Sequence, residues 1–439
     1  MTDAMVSQFD FQDVKRKAVA SRSYRSKVSS SNGTSFNCGD VVSVDLPANQ
    51  ANSYFDFTQA YLSFTITNGD GAAVKADGGA GFYSLIRNLS LTTAGQTVTQ
   101  LNSMNVLVNA LFDANVSTNY NRNIAHQMFG TSKGGEMFEG AEIAAAGTRK
   151  VCLPLILNAP CDSQPTRYFP AFGRSRLTYR FTLEDAKTAL IGDAGLVNSN
   201  ITISDFELVY YTVELSGEAQ RQVDNLTGGI YQILANDYLQ ASTSLAQNAT
   251  SLTATLGFSA ASLERVIICH RVAANIGNAT KPSLGSRSTA NLSEYQIIIN
   301  SEPYPQRAIK VNTTDCAEAL AELMISNHSL KNFSHDSNFN TKSVSTTESY
   351  YNVVDASGAD YGSFLAAVEL ESMSGKSDRV YSGIPTIGAV VQYSGRYENT
   401  GAGMTSGGSP ELMQVDFFAQ RTIAMTLDMR NLGTWMVVV

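Results

Sequence analysis

Two stretches of this 439-residue chain carry a sustained helical period, and they begin 212 positions apart in a sequence otherwise patterned for strands. The first is 101–116, where Leu101, Met104, Leu107, Val108, Leu111 and Phe112 recur at helical spacing. The second is 313–327, with Cys316, Leu320, Leu323 and Met324 as its stripe and Thr314 with Asp315 as a start signal. Each is preceded by a strand and followed by a long polar stretch and two more strands. The strand starting at Leu85 matches the one at Glu294, Leu177 matches Ile387, and Phe206 matches Phe417, at offsets of 209, 210 and 211. A strand-rich chain offers many strands to pair by chance. The helices are the rare elements, and they align. Four elements in one order at nearly one spacing point to duplication of a unit of roughly 200 residues.

The strand signal runs through 41–46, 60–67, 177–183, 206–215, 250–258, 266–272, 295–300, 386–397 and 415–429. Val, Ile, Tyr, Phe and Thr concentrate there, and Gly, Asn and Ser punctuate the gaps. Many short strands with turn punctuation indicate a sandwich or barrel. A shorter helical candidate lies at 261–266. The expected fold is all-β: two tandem eight-stranded jelly rolls, a double jelly roll, with one inserted helix each. The expected organisation is an N-terminal arm at 1–35, a first jelly roll at 36–218 and a second at 219–439, joined near 216–229.

A hydrophobic content of 43% supplies a sizeable core, and the length exceeds one ordinary domain. Charged residues make up 16% of the chain and the formal net charge is −8. Ser, Thr, Asn, Gln and Gly fill the polar positions, so the body lacks the basic face that nucleic-acid binding requires. No apolar run reaches the length of a membrane span, and the N-terminus has no secretory pattern. The Asn-x-Ser/Thr triplets, Asn88, Asn248 and Asn291 among them, are then a by-product of composition. Cys38, Cys152, Cys161, Cys269 and Cys316 are odd in number and lack zinc-ligand spacing; they read as reduced and mostly buried. In the arm, Lys15, Arg16, Lys17, Arg22, Arg25 and Lys27 cluster. That segment is either a solvated tail or an inner-surface arm contacting a membrane, the genome or a neighbouring subunit.

No catalytic, cofactor or metal site is expected. Gly130-Thr131-Ser132-Lys133-Gly134 fits G-x-S-x-G but sits in a loop-like stretch without the preceding strand that a nucleophile elbow needs. Gly375-Lys376-Ser377 ends like a P-loop, yet residue 370 is Leu rather than Gly. Asp355 and Asp360 lack a calcium-loop register, and no histidine pair among His126, His270, His328 and His335 has metal-ligand spacing. Arg174, Arg176 and Arg180 share strand parity and form a candidate inter-subunit contact, with a solvated sheet face as the default reading. Trp435 reads as core or inter-subunit packing.

Several segments resemble the double jelly-roll major capsid proteins of the adenovirus-like lineage of tailless icosahedral DNA viruses, which includes phages, virophages and polinton-like elements. VDLPANQANSYFDFTQAYLSFTITNGDG at 44–71 is similar to the family's opening. SLIRNLSLTTAGQTVTQLNSMNVLVNALF at 84–112 is similar to the strand, turn and helix that follow. In the second half, NLSEYQIIINSEPYPQRAI at 291–309 resembles a strand ending in a Tyr-Pro turn, and SFLAAVELESMSGKSDRVYSGIPTIGAVVQYSGRY at 363–397 resembles the late segment. These cover about a third of the chain. The resemblance implies a homotrimer of six jelly rolls, a pseudo-hexameric capsomer that contacts neighbouring capsomers and minor capsid or penton proteins. It also implies a place in the virion shell after synthesis in the host cytoplasm or nucleus, without secretion. Segments 117–148, 330–362 and 398–411 are the expected outward loops. Two alternatives remain: a single-jelly-roll capsid protein with a projecting β domain, and a glycan- or receptor-binding β protein.

Overall fold

The computed structural model describes residues 21–93, 95–131, 139–162, 167–311, 316–332, 363–371, 382–398, 409, 411–430 and 435–438. Alternation does what it predicts: in Val41–Leu46, Val42, Val44 and Leu46 are buried while Val41, Ser43 and Asp45 turn outward. The first half carries β1 (Ser21–Ser29), β2 (Ser35–Asn37), β3 (Val41–Leu46), β4 (Ser53–Asn68), β5 (Val74–Asp77), β6 (Ile86–Thr93), β7 (Gln96–Leu101), β8 (Glu139–Ile143), β9 (Thr148–Pro154), β10 (Phe169–Pro170), β11 (Leu177–Leu183), β12 (Leu190–Ile191) and β13 (Ile201–Leu215). The second half carries β14 (Ile230–Leu245), β15 (Ser251–Leu256), β16 (Leu263–Val272), β17 (Leu292–Ile299), β18 (Glu302–Lys310), β19 (Ala366–Glu369), β20 (Val391–Tyr397), β21 (Met413–Asp428) and β22 (Trp435–Val438).

The two halves have the same topology. One sheet of the first half runs β1–β13–β4, with β2 continuing the β1 edge and β9 and β10 sharing the far side of β4; the other runs β3–β11–β6–β7. The second half has β14–β21–β16–β19 facing β15–β20–β17–β18, with β22 added along β21. Counted along the chain, both halves order their eight strand positions first–eighth–third–sixth in one sheet and second–seventh–fourth–fifth in the other. That is the jelly-roll order, and it occurs twice. A helix, Met104–Asn115 or Ala317–Ser326, sits between the fifth and sixth positions each time. The duplication read from the spacing is therefore topological, and the alternative of one jelly roll with an unlike projecting domain is overturned.

Aromatic side chains fill the first sandwich: Phe64 stacks on Phe206 at 5.2 Å and Tyr179 on Phe181 at 5.9 Å, all buried. Tyr295, Tyr393 and Phe417 do the same in the second. Each such side chain removed from water contributes on the order of 2–3 kcal/mol.

The structure departs from the expected elements in four places. Residues 21–29 of the expected arm are a strand, β1, paired along its whole length with β13. Within the helical candidate 261–266, strand β16 already begins at Leu263 and continues into the strand expected at 266–272; Leu263, Glu264 and Val266 are all buried, so its start lacks the alternation that identifies a strand. The junction at 216–229 is a helix, Gly217–Thr227, started by the Ser216 side chain accepting from the Ala219 N–H and stopped by Gly228 at φ 60°. The strand at 295–300 turns at Asn300 and Ser301, both at positive φ, so Pro303-Tyr304-Pro305 is no corner but part of edge strand β18. An edge tolerates the missing proline N–H.

At one end of the first sandwich, the connections after β4, after β7 and after β11 pool their short strands into a small sheet ordered β12–β5–β8. That end carries the inserted helix and meets the second sandwich.

Candidate assembly surfaces

The helix Met104–Asn115 presents a buried polar stripe at a spacing of four: Asn105, Asn109 and Asp113. Asn105 donates to Glu184 at 2.9 Å, and the Asn109 side-chain oxygen accepts from the Ala80 N–H at 3.0 Å. Asp113 is ion-paired with Arg287 of the second sandwich. Arg287 has 0% exposure and also donates to the carbonyls of Phe364 at 3.2 Å and Ser363 at 3.3 Å. Four positions earlier, the segment from the second half wraps a carboxylate of the first. Asp77 on β5 accepts from the Ser283 N–H at 2.7 Å, the Ser283 hydroxyl at 3.0 Å, the Leu284 N–H at 2.9 Å and the Gly285 N–H at 3.3 Å. The Ser283 carbonyl accepts from Arg271, which is paired with Asp416 at 2.7 Å. Burial raises the Asp113 carboxyl above its ordinary range against the pull of Arg287. Burial pushes Asp77 up to about 6, opposed by its hydrogen bonds.

The other end of the seam is aromatic. Trp435 stacks on Phe169 of the first sandwich at 4.3 Å, and Tyr231 meets Phe172 edge-on at 5.0 Å. Tyr54 donates to Gln220 of the junction helix at 2.9 Å. Trp435 is 2% exposed. Of the two readings the sequence left for Trp435, core and inter-subunit packing, its stack on Phe169 fits the first.

Arg174, Arg176 and Arg180 are exposed, and Arg176 lies 3.6 Å from Asp45. β11 alternates around them, with Leu177, Tyr179 and Phe181 inward, so Arg180 stands on the outer sheet face. The basic residues of β1 are partnered along the sheet edge: Arg22 with Glu214 at 2.6 Å, Lys27 with Glu207 at 2.7 Å, and Arg25 with the Tyr61 hydroxyl. Lys15, Arg16 and Lys17 lie outside the described residues.

The expected outward loop 117–148 is folded onto the sandwich end over much of its described length: Phe129 and Thr131 are buried, and β8 joins the small sheet. Segments 333–362 and 399–408 lie outside the described residues. Gly130 ends a short helix at φ 74°, so a helix precedes the G-x-S-x-G stretch where an elbow needs a strand. Ser132, Lys133 and Gly134 lie outside the described residues, as do Gly375-Lys376-Ser377, Asp355 and Asp360. Cys38, Cys152, Cys161, Cys269 and Cys316 are free thiols, with Cys38, Cys269 and Cys316 buried. Sequence reading missed the seam itself: Asp77, Asp113, Arg271, Ser283 and Arg287. A local signal existed only in the helix, where polar residues at 105, 109 and 113 interrupt an apolar pattern.

No protein-family model and no curated protein matches the chain. Solved structures do. A chain of the PBCV-1 virus capsid superposes with a TM-score of 0.62 and 10% identity, covering 97% of this chain and 98% of that one. The Faustovirus major capsid protein gives 0.59 and 7% identity, covering 93% and 91%. The mavirus major capsid protein gives 0.50 and 12% identity, covering 94% and 90%. At these identities the likeness is one of fold, and it extends over nearly the whole of each chain. The protein has the double jelly-roll fold of viral major capsid proteins.

Proposed function

We propose that this chain is a major capsid protein: three copies form a trimer of six jelly rolls with a near-hexagonal outline, and these trimers tile an icosahedral shell. The observation that carries this reading is the repeated strand order, first–eighth–third–sixth over second–seventh–fourth–fifth, in one chain that superposes end to end on major capsid proteins. Two like sandwiches per chain turn a threefold assembly into a near-sixfold one, which suits a hexagonal lattice.

The role is structural rather than enzymatic and takes no cofactor. Its place is the virion shell, beside neighbouring capsomers and minor capsid or penton proteins. The first jelly roll runs from β1 to β13 and the second from β14 to β22, with the helix Gly217–Thr227 between them. The arm is the segment before β1, and its Lys15, Arg16 and Lys17 act toward a membrane, the genome or a neighbouring subunit. Arg174, Arg176 and Arg180 face a neighbouring subunit.

Sedimentation of the purified chain at micromolar concentration tests the reading. A stable species of three times 47.2 kDa supports it. A monomer at that concentration overturns it.

A further inference from the structure

We propose that the segment Ser283–Arg287, gripped by Asp77 and Asp113, is a positioning clamp that fixes the angle between the two sandwiches, and that assembly depends on this angle. The proposal rests on the capsid reading for its second half only.

Among the described residues the sandwiches meet in three places. One is apolar: Trp435 on Phe169 and Tyr231 on Phe172. A second lies on β14, where the Asn236 N–H donates to the Asp162 carbonyl at 3.2 Å. The third is the polar cluster. β4 runs from the apolar contact to the polar cluster, since Tyr54 near its start touches the junction helix and its far end leads into β5. Its 16 residues span about 50 Å of strand. Anchors this far apart define a tilt, and losing the polar one leaves the sandwiches held only by the aromatic contacts and the β14 contact, about which they can pivot.

The aromatic and polar anchors differ in kind. Aromatic faces in contact tolerate sliding at little cost, whereas charge-assisted hydrogen bonds hold one geometry. At the polar end, four donors converge on Asp77 and Arg287 spans Asp113 and two carbonyls, all within the buried seam. Behind them, Arg271 and Asp416 hold the Ser283 carbonyl from β16 and β21. Buried ion pairs contribute little net stability against an apolar replacement but specify one arrangement. Here the arrangement specified is the relation of one sandwich to the other. A ring of six sandwiches built from three chains repeats any angular error three times, so an error of about 5° per chain becomes a gap of roughly 15° at closure.

The test compares wild type with the double variant Asp113→Leu/Arg287→Met, with Arg287→Met alone and with Arg287→Lys. The double variant should fold with unchanged circular dichroism. Its trimer population should fall at least tenfold at equal concentration, and calorimetry should resolve two unfolding transitions where wild type shows one. Arg287→Met alone should be less stable than the double variant, because it strands a buried carboxylate. Arg287→Lys should restore part of the trimer. Should the double variant fail to fold, Asp77→Asn keeps the side-chain size and is read by the same measurements. A double variant or Asp77→Asn that trimerises like wild type and unfolds in one transition overturns the clamp. If wild type itself does not trimerise, the capsid reading falls, and the number of transitions still decides the clamp.

Discussion

His270 and Asp77 are both fully enclosed, and their proton equilibria pull stability in opposite directions. His270 shares a hydrogen bond of 2.9 Å with the Tyr397 hydroxyl through Nε2, its Nδ1 has no partner, and burial lowers its pKa from 6.5 to about 3. Its contribution is complete above 6.5 and is lost as the pH falls from there toward 3. Asp77, raised from 3.8 to about 6, behaves the other way: its contribution is complete below 3.8 and is lost as the pH rises through about 6. Two measurements separate them. His270→Phe should flatten the fall in melting temperature below pH 6.5, and an unchanged acid limb contradicts this. Asp77→Asn should cost more at about pH 4 than at about pH 8, by up to roughly 3 kcal/mol. A cost independent of pH contradicts the assignment. Neither residue stands out in the sequence. An aspartate in VKAD and a histidine in IICHRV acquire their properties from neighbours about 200 and 127 positions away.

At the scale of elements, what could be read from the chain was whatever repeats locally. Val41–Leu46 and Leu177–Leu183 show clean alternation and form as expected. The two helices show their period, although Ser103 precedes the first without a side-chain cap. β16 was legible from residue 266 onward, but its first residues read as helix because Leu263, Glu264 and Val266 are all buried and show no alternation. The junction helix carried its signals, Ser216 before it and Gly228 after it, but its apolar stripe is short. Glycines mark close approaches that no periodicity shows. Gly81 has φ 63°, and a Cβ there would collide with the carbonyls of Phe129 and Gly130. Gly81→Ala should therefore destabilise the first sandwich by about 2–4 kcal/mol in chemical denaturation. In β16, Ile268→Ala should cost a similar 2–5 kcal/mol through the cavity it leaves. Loss of less than about 1 kcal/mol in either case would mean that the packing is looser than described.

At the scale of the molecule, the strongest information in the sequence was the spacing between like elements. The offsets near 210 positions paired the fourth strand, the helix, the seventh strand and the eighth strand of one sandwich with their true counterparts in the other. Spacing survives where identity does not, because each sandwich needs the same strand lengths and connections to close its core, while many apolar side chains fill that core equally well. The seam did not survive in this way: it exists once per chain, so no repeat reveals it. Under the proposed function, two equivalent sandwiches per chain give a trimer a sixfold outline. Electron microscopy of single purified particles views that outline directly. Six lobes of similar size around a threefold centre are the expected image, and isolated two-lobed particles or an assembly of any other symmetry would contradict it.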